Sequence, residues 1–158
     1  MKILVTLGDA NGIGLEALIK AISEGKSKLK NYDITLAGNA NIVKQYAKLC
    51  NLPVNILQDK LEINGFTIKL IEACENYKLS LGTISVGAAK SALQSINIGT
   101  QLVLDNNYDA LVTLPVSKEA ISLVKNGFTG HTSYIAGICK EKSPLMILFT
   151  ENIRVALV

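Results

Sequence analysis

Three stretches of the chain bring together residue types that can hold an anion. The first is Gly8-Asp9-Ala10-Asn11-Gly12-Ile13-Gly14-Leu15-Glu16. A glycine-bearing turn that feeds a helix presents backbone N–H groups at the positive end of the helix dipole, where phosphates and carboxylates bind. Its glycines run Gly-x-x-x-Gly-x-Gly. That is not the dinucleotide fingerprint Gly-x-Gly-x-x-Gly, and it lacks the Lys-Ser/Thr that ends a P-loop. The same residues also make a plain tight turn, with Asp9 and Glu16 complementing the dipole. The second stretch is Leu111-Val112-Thr113-Leu114-Pro115-Val116-Ser117-Lys118. Here an apolar strand is stopped by Pro115, and Ser117 can cap a helix whose first residue is Lys118. Ligands in α/β folds gather at the carboxyl ends of strands, so Lys118 is placed to meet a phosphate or carboxylate; the alternative is a solvated lysine on a helix end. The third stretch, Phe128-Thr129-Gly130-His131-Thr132-Ser133-Tyr134, carries the chain's single histidine. Gly127 and Gly130 mark a loop, and Thr132 is expected to cap a helix bearing Tyr134, Ile135, Ile138 and Cys139. A histidine just before a helix start stays neutral near pH 7 until a bound anion recruits the proton. The competing assignment for His131 is a loop residue hydrogen-bonded to a backbone carbonyl.

Alternating strands and helices must position these stretches. Ile3 to Thr6 reads as a buried strand, Leu15 to Ser23 as a helix and Asp33 to Ala37 as a second strand. Asn39 can cap a helix whose inner face is Ile42, Val43, Tyr46 and Ala47. Val54 to Leu57 is a further strand. Lys60 to Ile63 and Phe66 to Ile71 flank Asn64-Gly65, a dipeptide suited to a type I′ turn, so a hairpin is expected and the sheet is mixed. Ile84 to Leu104 is the longest helical pattern, with Ala88, Ala92, Ile96, Gly99 and Val103 recurring every three or four residues. Ala110 to Thr113 is unbroken apolar sequence and is expected to be a central strand. Leu145 to Phe149 and Ile153 to Val158 are two more strands, joined by Thr150-Glu151-Asn152. The whole predicts an α/β fold with a mixed sheet flanked by helices. No turn or polar tail follows Arg154 to Val158, and a terminal carboxylate is costly to bury. The expectation is therefore a truncated chain.

Composition removes several classes of function. With 49% hydrophobic and 18% charged residues in 158, the chain has material for a packed core and is not a disordered one. A net charge of +3 with scattered lysines provides no basic stripe for nucleic acid. No run approaches the roughly 20 apolar residues of a membrane span, and the apolar start is too short for a signal peptide. Cys50, Cys74 and Cys139 contain no Cys-x-x-Cys pair, which argues against a disulfide framework or zinc ribbon and fits a reducing cytoplasm. One histidine excludes a self-contained histidine-rich metal site.

The order of the motifs resembles the N-terminal portion of the 4-hydroxythreonine-4-phosphate dehydrogenase family. Thr6-Leu7-Gly8-Asp9-Ala10-Asn11-Gly12-Ile13-Gly14-Leu15-Glu16 is similar to the family's Thr-x-Gly-Asp-Pro-Ala-Gly-Ile-Gly-Pro-Glu opening. Gly82-Thr83-Ile84-Ser85 before an alanine-rich helix looks like its Gly-Lys-x-Ser segment. Thr113 to Lys118 resembles Thr-x-Pro followed by a hydrophobic residue, His/Asn/Ser and Lys. Gly130-His131-Thr132 resembles its Gly-His-Thr loop, and Arg154 to Val158 looks like the strand entering its first metal-ligand segment. The resemblance implies an isocitrate/isopropylmalate-dehydrogenase-like, two-lobed fold of which residues 1–158 are the N-terminal portion. It implies oxidation of 4-phosphooxy-L-threonine by NAD or NADP in pyridoxal phosphate biosynthesis. It also implies a homodimer and a divalent metal (Zn, Mg or Co) held by three histidines that would follow Val158. Carried over by residue, His131 and Thr132 bind the small phosphorylated substrate. Lys118 is carried over less directly, as a cleft-lining polar group. Ala10, Asn11 and Leu15 depart from the family's Pro, Ala and Pro. Two alternatives remain: a phosphate acyltransferase of related fold, and a non-catalytic anion-binding fragment.

Overall fold

The computed structural model describes residues 1–141 and 143–157. Its elements run β1 (Lys2–Thr6), α1 (Gly14–Leu29), β2 (Asp33–Gly38), α2 (Ala40–Leu49), β3 (Val54–Leu57), β4 (Lys60–Ile63), β5 (Phe66–Glu72), α3 (Val86–Leu104), β6 (Ala110–Thr113), α4 (Lys118–Ser122), α5 (His131–Ile138), β7 (Met146–Phe149) and β8 (Arg154–Leu157). Six strands form one sheet in the order β3-β4-β5-β2-β1-β6. β1 pairs in parallel with β2 and β6, and β2 with β5, while β3-β4-β5 is antiparallel. The mixed sheet expected from the alternation of elements is therefore found. Because β1, β2, β5 and β6 run in one direction, the segments that leave them emerge on a single rim, the usual ligand-binding rim of such sheets.

Local sequence accounts for most boundaries. Asn64 and Gly65 take φ of 48° and 76°, as a two-residue hairpin turn requires. Asn39 caps α2 by accepting from the Asn41 and Ile42 amides. Ser85 caps α3 through the Ala88 amide, so that helix starts at Val86 and not at Ile84. α1 continues to Leu29, beyond the Ser23 expected from its apolar pattern. Lys26 and Lys28 complement the dipole in its last turn, and Leu29 packs on the core. A Cβ at Gly99 would stand 3.2 Å from the side chains of both Leu4 and Leu111, so glycine lets α3 lie close on the sheet.

One expectation is corrected. β6 lies at the edge of the sheet, not its centre, and β1 is its sole strand partner among the described residues. Val112 is exposed, so one face is not fully covered either. An unbroken apolar run suits a strand covered on both faces but says nothing about neighbours at its two edges. The last two strands pair only with each other, Met146 opposite Leu157, and remain exposed, Phe149 at 77%. Val158, included in the expected final strand, lies outside the described residues. No described helix is long and apolar enough to cross a membrane.

Candidate functional site

The site is built where the chain leaves β6. Leu114 and Pro115 end the strand, and the Ser117 hydroxyl accepts the Ala120 amide at 3.0 Å. That cap starts α4 at Lys118, as its spacing predicts. The chain returns through Gly130, whose φ of +149° belongs to the region that side chains rarely adopt. Gly130 is the N-cap of α5, and no side chain caps this helix. The expected Thr132 cap is thus corrected. The glycine makes the turn into the helix two residues earlier, so His131 and Thr132 are its first residues and the threonine hydroxyl is not spent on capping.

α5 is anchored from behind. The Tyr134 hydroxyl donates to Asn97 Oδ1 of α3 at 2.8 Å. The Phe128 ring meets the Tyr134 ring edge-on at 5.5 Å, and the Lys125 ammonium sits 5.3 Å from the Tyr134 centroid. With the helix fixed, His131 and Thr132 separate two open clefts. One, of about 650 Å³, is lined by Pro115, Lys118 and Gly130 on one side and Met146 and Leu157 on the other. The second, of about 600 Å³, is lined by Leu111, Thr113, Ile135, Cys139 and Glu141. A Cβ built on Gly130 would lie 3.9 Å from Lys118 Nζ, so the ammonium stands beside the N-terminal turn of α5. His131, Thr132 and Lys118, distant in the chain's local pattern, therefore line the same cleft.

Burial lowers the pKa of His131 below the ordinary imidazole value, and a hydrogen-bonding contact with the Leu114 backbone acts in the opposite direction. The neutral imidazole expected from the helix dipole is also what desolvation favours. The backbone contact belongs to the alternative assignment of this residue, and it coexists with exposure to the clefts. The Nε2 atom is buried with no hydrogen-bond partner among the described residues. Buried polar atoms are normally paired, so this nitrogen, on a residue that lines both clefts, has a hydrogen bond left to make.

The Gly8–Gly14 turn behaves differently. The Asp9 amide donates to the Pro115 carbonyl at 2.9 Å, the Gly12 amide to the Asp9 carbonyl at 3.0 Å, and the Asn11 amide to Asp9 Oδ1 at 2.9 Å. The Tyr46 hydroxyl closes the turn on the Gly12 carbonyl at 2.7 Å. Three of the loop amides are thus committed within the chain, as a tight turn requires. Burial raises the Asp9 carboxyl above the usual range, with the Asn11 amide opposing it. Glu16 pairs with Lys20 one turn along α1. Cys74 is no nucleophile at neutral pH, since burial pushes its thiol up to about 12.

The metal and nicotinamide implied by the resemblance do not fit the residues of this chain. There is a single histidine, and no group of three His, Cys, Asp or Glu among the described residues is placed to hold a metal. The Gly8–Gly14 turn departs from the dinucleotide fingerprint and commits the amides of Asp9, Asn11 and Gly12 within the chain.

A mixed α/β sheet with a polar cleft on its carboxyl rim defines the class of protein. Residues 30–158 match the family described as "Pyridoxal phosphate biosynthetic protein PdxA", and the chain belongs to that family. It is 31% identical over 160 residues to the 4-hydroxythreonine-4-phosphate dehydrogenase of Sulfurihydrogenibium sp. (strain YO3AOP1), covering 100% of this chain and 49% of that protein. A Clostridium botulinum protein named "Putative D-threonate 4-phosphate dehydrogenase" is 27% identical over 96% of this chain and 47% of its own length. The crystal structure of the Klebsiella pneumoniae 4-hydroxythreonine-4-phosphate dehydrogenase superposes with a TM-score of 0.82 at 28% identity, over 98% of this chain and 49% of that one. The chain thus spans about half the length of the curated relatives it matches.

Sequence reasoning missed Asn11 and Asn97. Asn97 carries no local signal, since Lys90, Gln94 and Gln101 are further polar residues on the same helix. Asn11 was noted only as a departure from alanine. Yet it is 2% exposed, and a buried amide demands partners.

Proposed function

We propose that this chain supplies the phosphate-ester-binding part of a dehydrogenase acting on 4-phosphooxy-L-threonine. In that reaction the C3 alcohol is oxidised, its hydride passing to NAD+ or NADP+ and its hydroxyl proton to solvent. The resulting β-keto acid loses CO2 to give 3-amino-2-oxopropyl phosphate, a precursor of pyridoxal phosphate. The observation that carries the reading is the convergence of His131, Thr132 and Lys118 on one cleft with His131 Nε2 unpartnered. A phosphate oxygen can accept from a protonated Nε2 and from the Thr132 hydroxyl, and Lys118 adds charge. In the proposed enzyme, residues 1–158 form the N-terminal portion of a two-lobed cytoplasmic homodimer. The divalent metal and the nicotinamide site are supplied by other polypeptide. The acyltransferase alternative draws no support from relatives named as dehydrogenases.

The Clostridium botulinum relative favours a second reading in which the substrate is 4-phospho-D-threonate. The two substrates share the phosphate ester and the secondary alcohol but differ at C2, so the cleft described here serves both. Calorimetric titration of the chain with 4-phosphooxy-L-threonine and with threonine tests the shared part. Phosphate-dependent binding is expected, and His131→Ala weakens it about ten- to hundredfold by removing a hydrogen bond to a charged group, with little change in folding. Equal binding of the two compounds, or an unchanged dissociation constant in the variant, would remove His131 from the site.

A further inference from the structure

The segment joining β5 to α3, residues 73–85, is long and irregular, a kind of loop that is uncommon in a compact domain unless it serves function. It rises on the same rim as the His131 cleft. It is not loose. Asn11 Nδ2 donates to the Thr83 carbonyl at 3.0 Å and to Ser85 Oγ at 3.1 Å. Asn11 Oδ1 accepts from the Ser80 amide at 3.1 Å and the Tyr77 hydroxyl at 3.4 Å. The Asn11 backbone carbonyl accepts the Gly82 amide at 2.8 Å. One buried side chain thus holds two loops that no strand pairing connects. An alanine, which the family resemblance has at this position, would leave all four side-chain bonds unmade.

Two paths lead from Asn11 to the cleft. Through its own turn, the Asp9 amide holds the Pro115 carbonyl, next to the Leu114 backbone that His131 touches and two residues before the cap of α4. Through α3, Asn11 orients Ser85, whose hydroxyl caps the helix that carries Asn97, the anchor of Tyr134 on α5. We infer that Asn11 is a positioning residue for the His131 cleft, fixing at once the segment beneath the histidine and the helix behind it. This rests on the phosphate-ester reading above.

The test is titration of the isotope-labelled 158-residue chain with inorganic phosphate, followed at the His131 ring and the Thr132 amide. Asn11→Ala, and Asn11→Asp, which keeps shape and acceptor but removes the amide donor, are expected to raise the phosphate dissociation constant about two- to thirtyfold. Ile63→Ala, in the antiparallel hairpin remote from the cleft, controls for lost stability and is expected to bind as the parent chain does. If Asn11→Ala does not fold, Asn11→Asp carries the test. A parent chain with no phosphate response at His131 brings down the phosphate-ester reading and this inference with it. A parent response that the Asn11 variants leave within about twofold, or that Ile63→Ala weakens as much as they do, overturns the inference alone.

Discussion

Two glycine-bearing turns lead from the carboxyl rim of the sheet into helices, and they have opposite fates. The turn at Gly8–Gly14 has more glycines and feeds the longer helix, yet Asp9, Asn11 and Gly12 donate their amides to Pro115 and Asp9. Its nearest charges, Asp9 and Glu16, are acidic. The turn at Gly130 has one glycine at the helix entry. Neither α1 nor α5 is capped by a side chain, but α5 has no acid in its first turn and presents a histidine with a buried unpartnered nitrogen beside Lys118. A glycine-rich turn is thus not by itself an anion site. What decides is whether its donors are already committed and which sign of charge surrounds them.

The largest effect should come from breaking the first turn. Gly8 has φ of +65°, and a Cβ there would stand 2.6 Å from the Pro115 carbonyl oxygen and 2.9 Å from Leu114 Cβ. Backbone cannot swing aside as the tip of a flexible side chain can. Gly8→Ala combines backbone strain with overpacking and is expected to cost about 2–4 kcal/mol of stability, read as a lowered urea midpoint. A midpoint close to the parent's would mean that the turn is not the rigid support described. Ala at Gly127, with φ of +74° and nothing nearby to strike, isolates the backbone part of the loss, expected near 1 kcal/mol.

How far this contrast could be read from sequence depends on the range of the interactions. The hairpin at Asn64-Gly65 and the caps at Asn39, Ser85 and Ser117 were legible because a residue's own dihedral preference or side chain creates them. The sharing of a cleft by Lys118 and His131 was legible more indirectly, since both lie at helix starts on the carboxyl rim. The spending of the first turn's donors was not legible. It requires Pro115, over 100 residues away, to approach Asp9, and local spacing carries no trace of that. Asn11 is hidden for the same reason, its partners lying 66 to 74 positions along the chain. The edge position of β6 was not legible, because apolar content carries no record of strand pairing.

A second effect separates the turns by proton linkage. In the fold, burial depresses the His131 pKa below the 6.5 of a free imidazole, so the unfolded chain holds the proton more tightly. The stability from this group is fully present above pH 6.5 and is lost as pH falls below it. A bound anion favours the imidazolium and reverses the bias, so binding takes up a proton. Sulfate, whose charge is constant in this range, should bind about tenfold more tightly at about pH 5.5 than at about pH 7.5, and His131→Gln should flatten the profile. A pH-independent parent chain would place the anion elsewhere.

The smallest effect belongs to Lys118, and it sharpens what each group contributes. The residue is exposed, and its ammonium stands beside Gly130 without an acidic partner among the described residues. An exposed charge acts across water and counter-ions, so Lys118→Gln is expected to weaken sulfate binding by about 0.2–1 kcal/mol, or roughly 1.4- to fivefold. The loss should shrink as the screening length falls from about 10 Å at 0.1 M salt to about 3 Å at 1 M. His131→Gln, acting through a desolvated contact, should lose affinity to a similar extent at both salt concentrations. If the two variants share one salt dependence, the anion is held in the open cleft mouth by charge alone, and the buried Nε2 atom is not its partner.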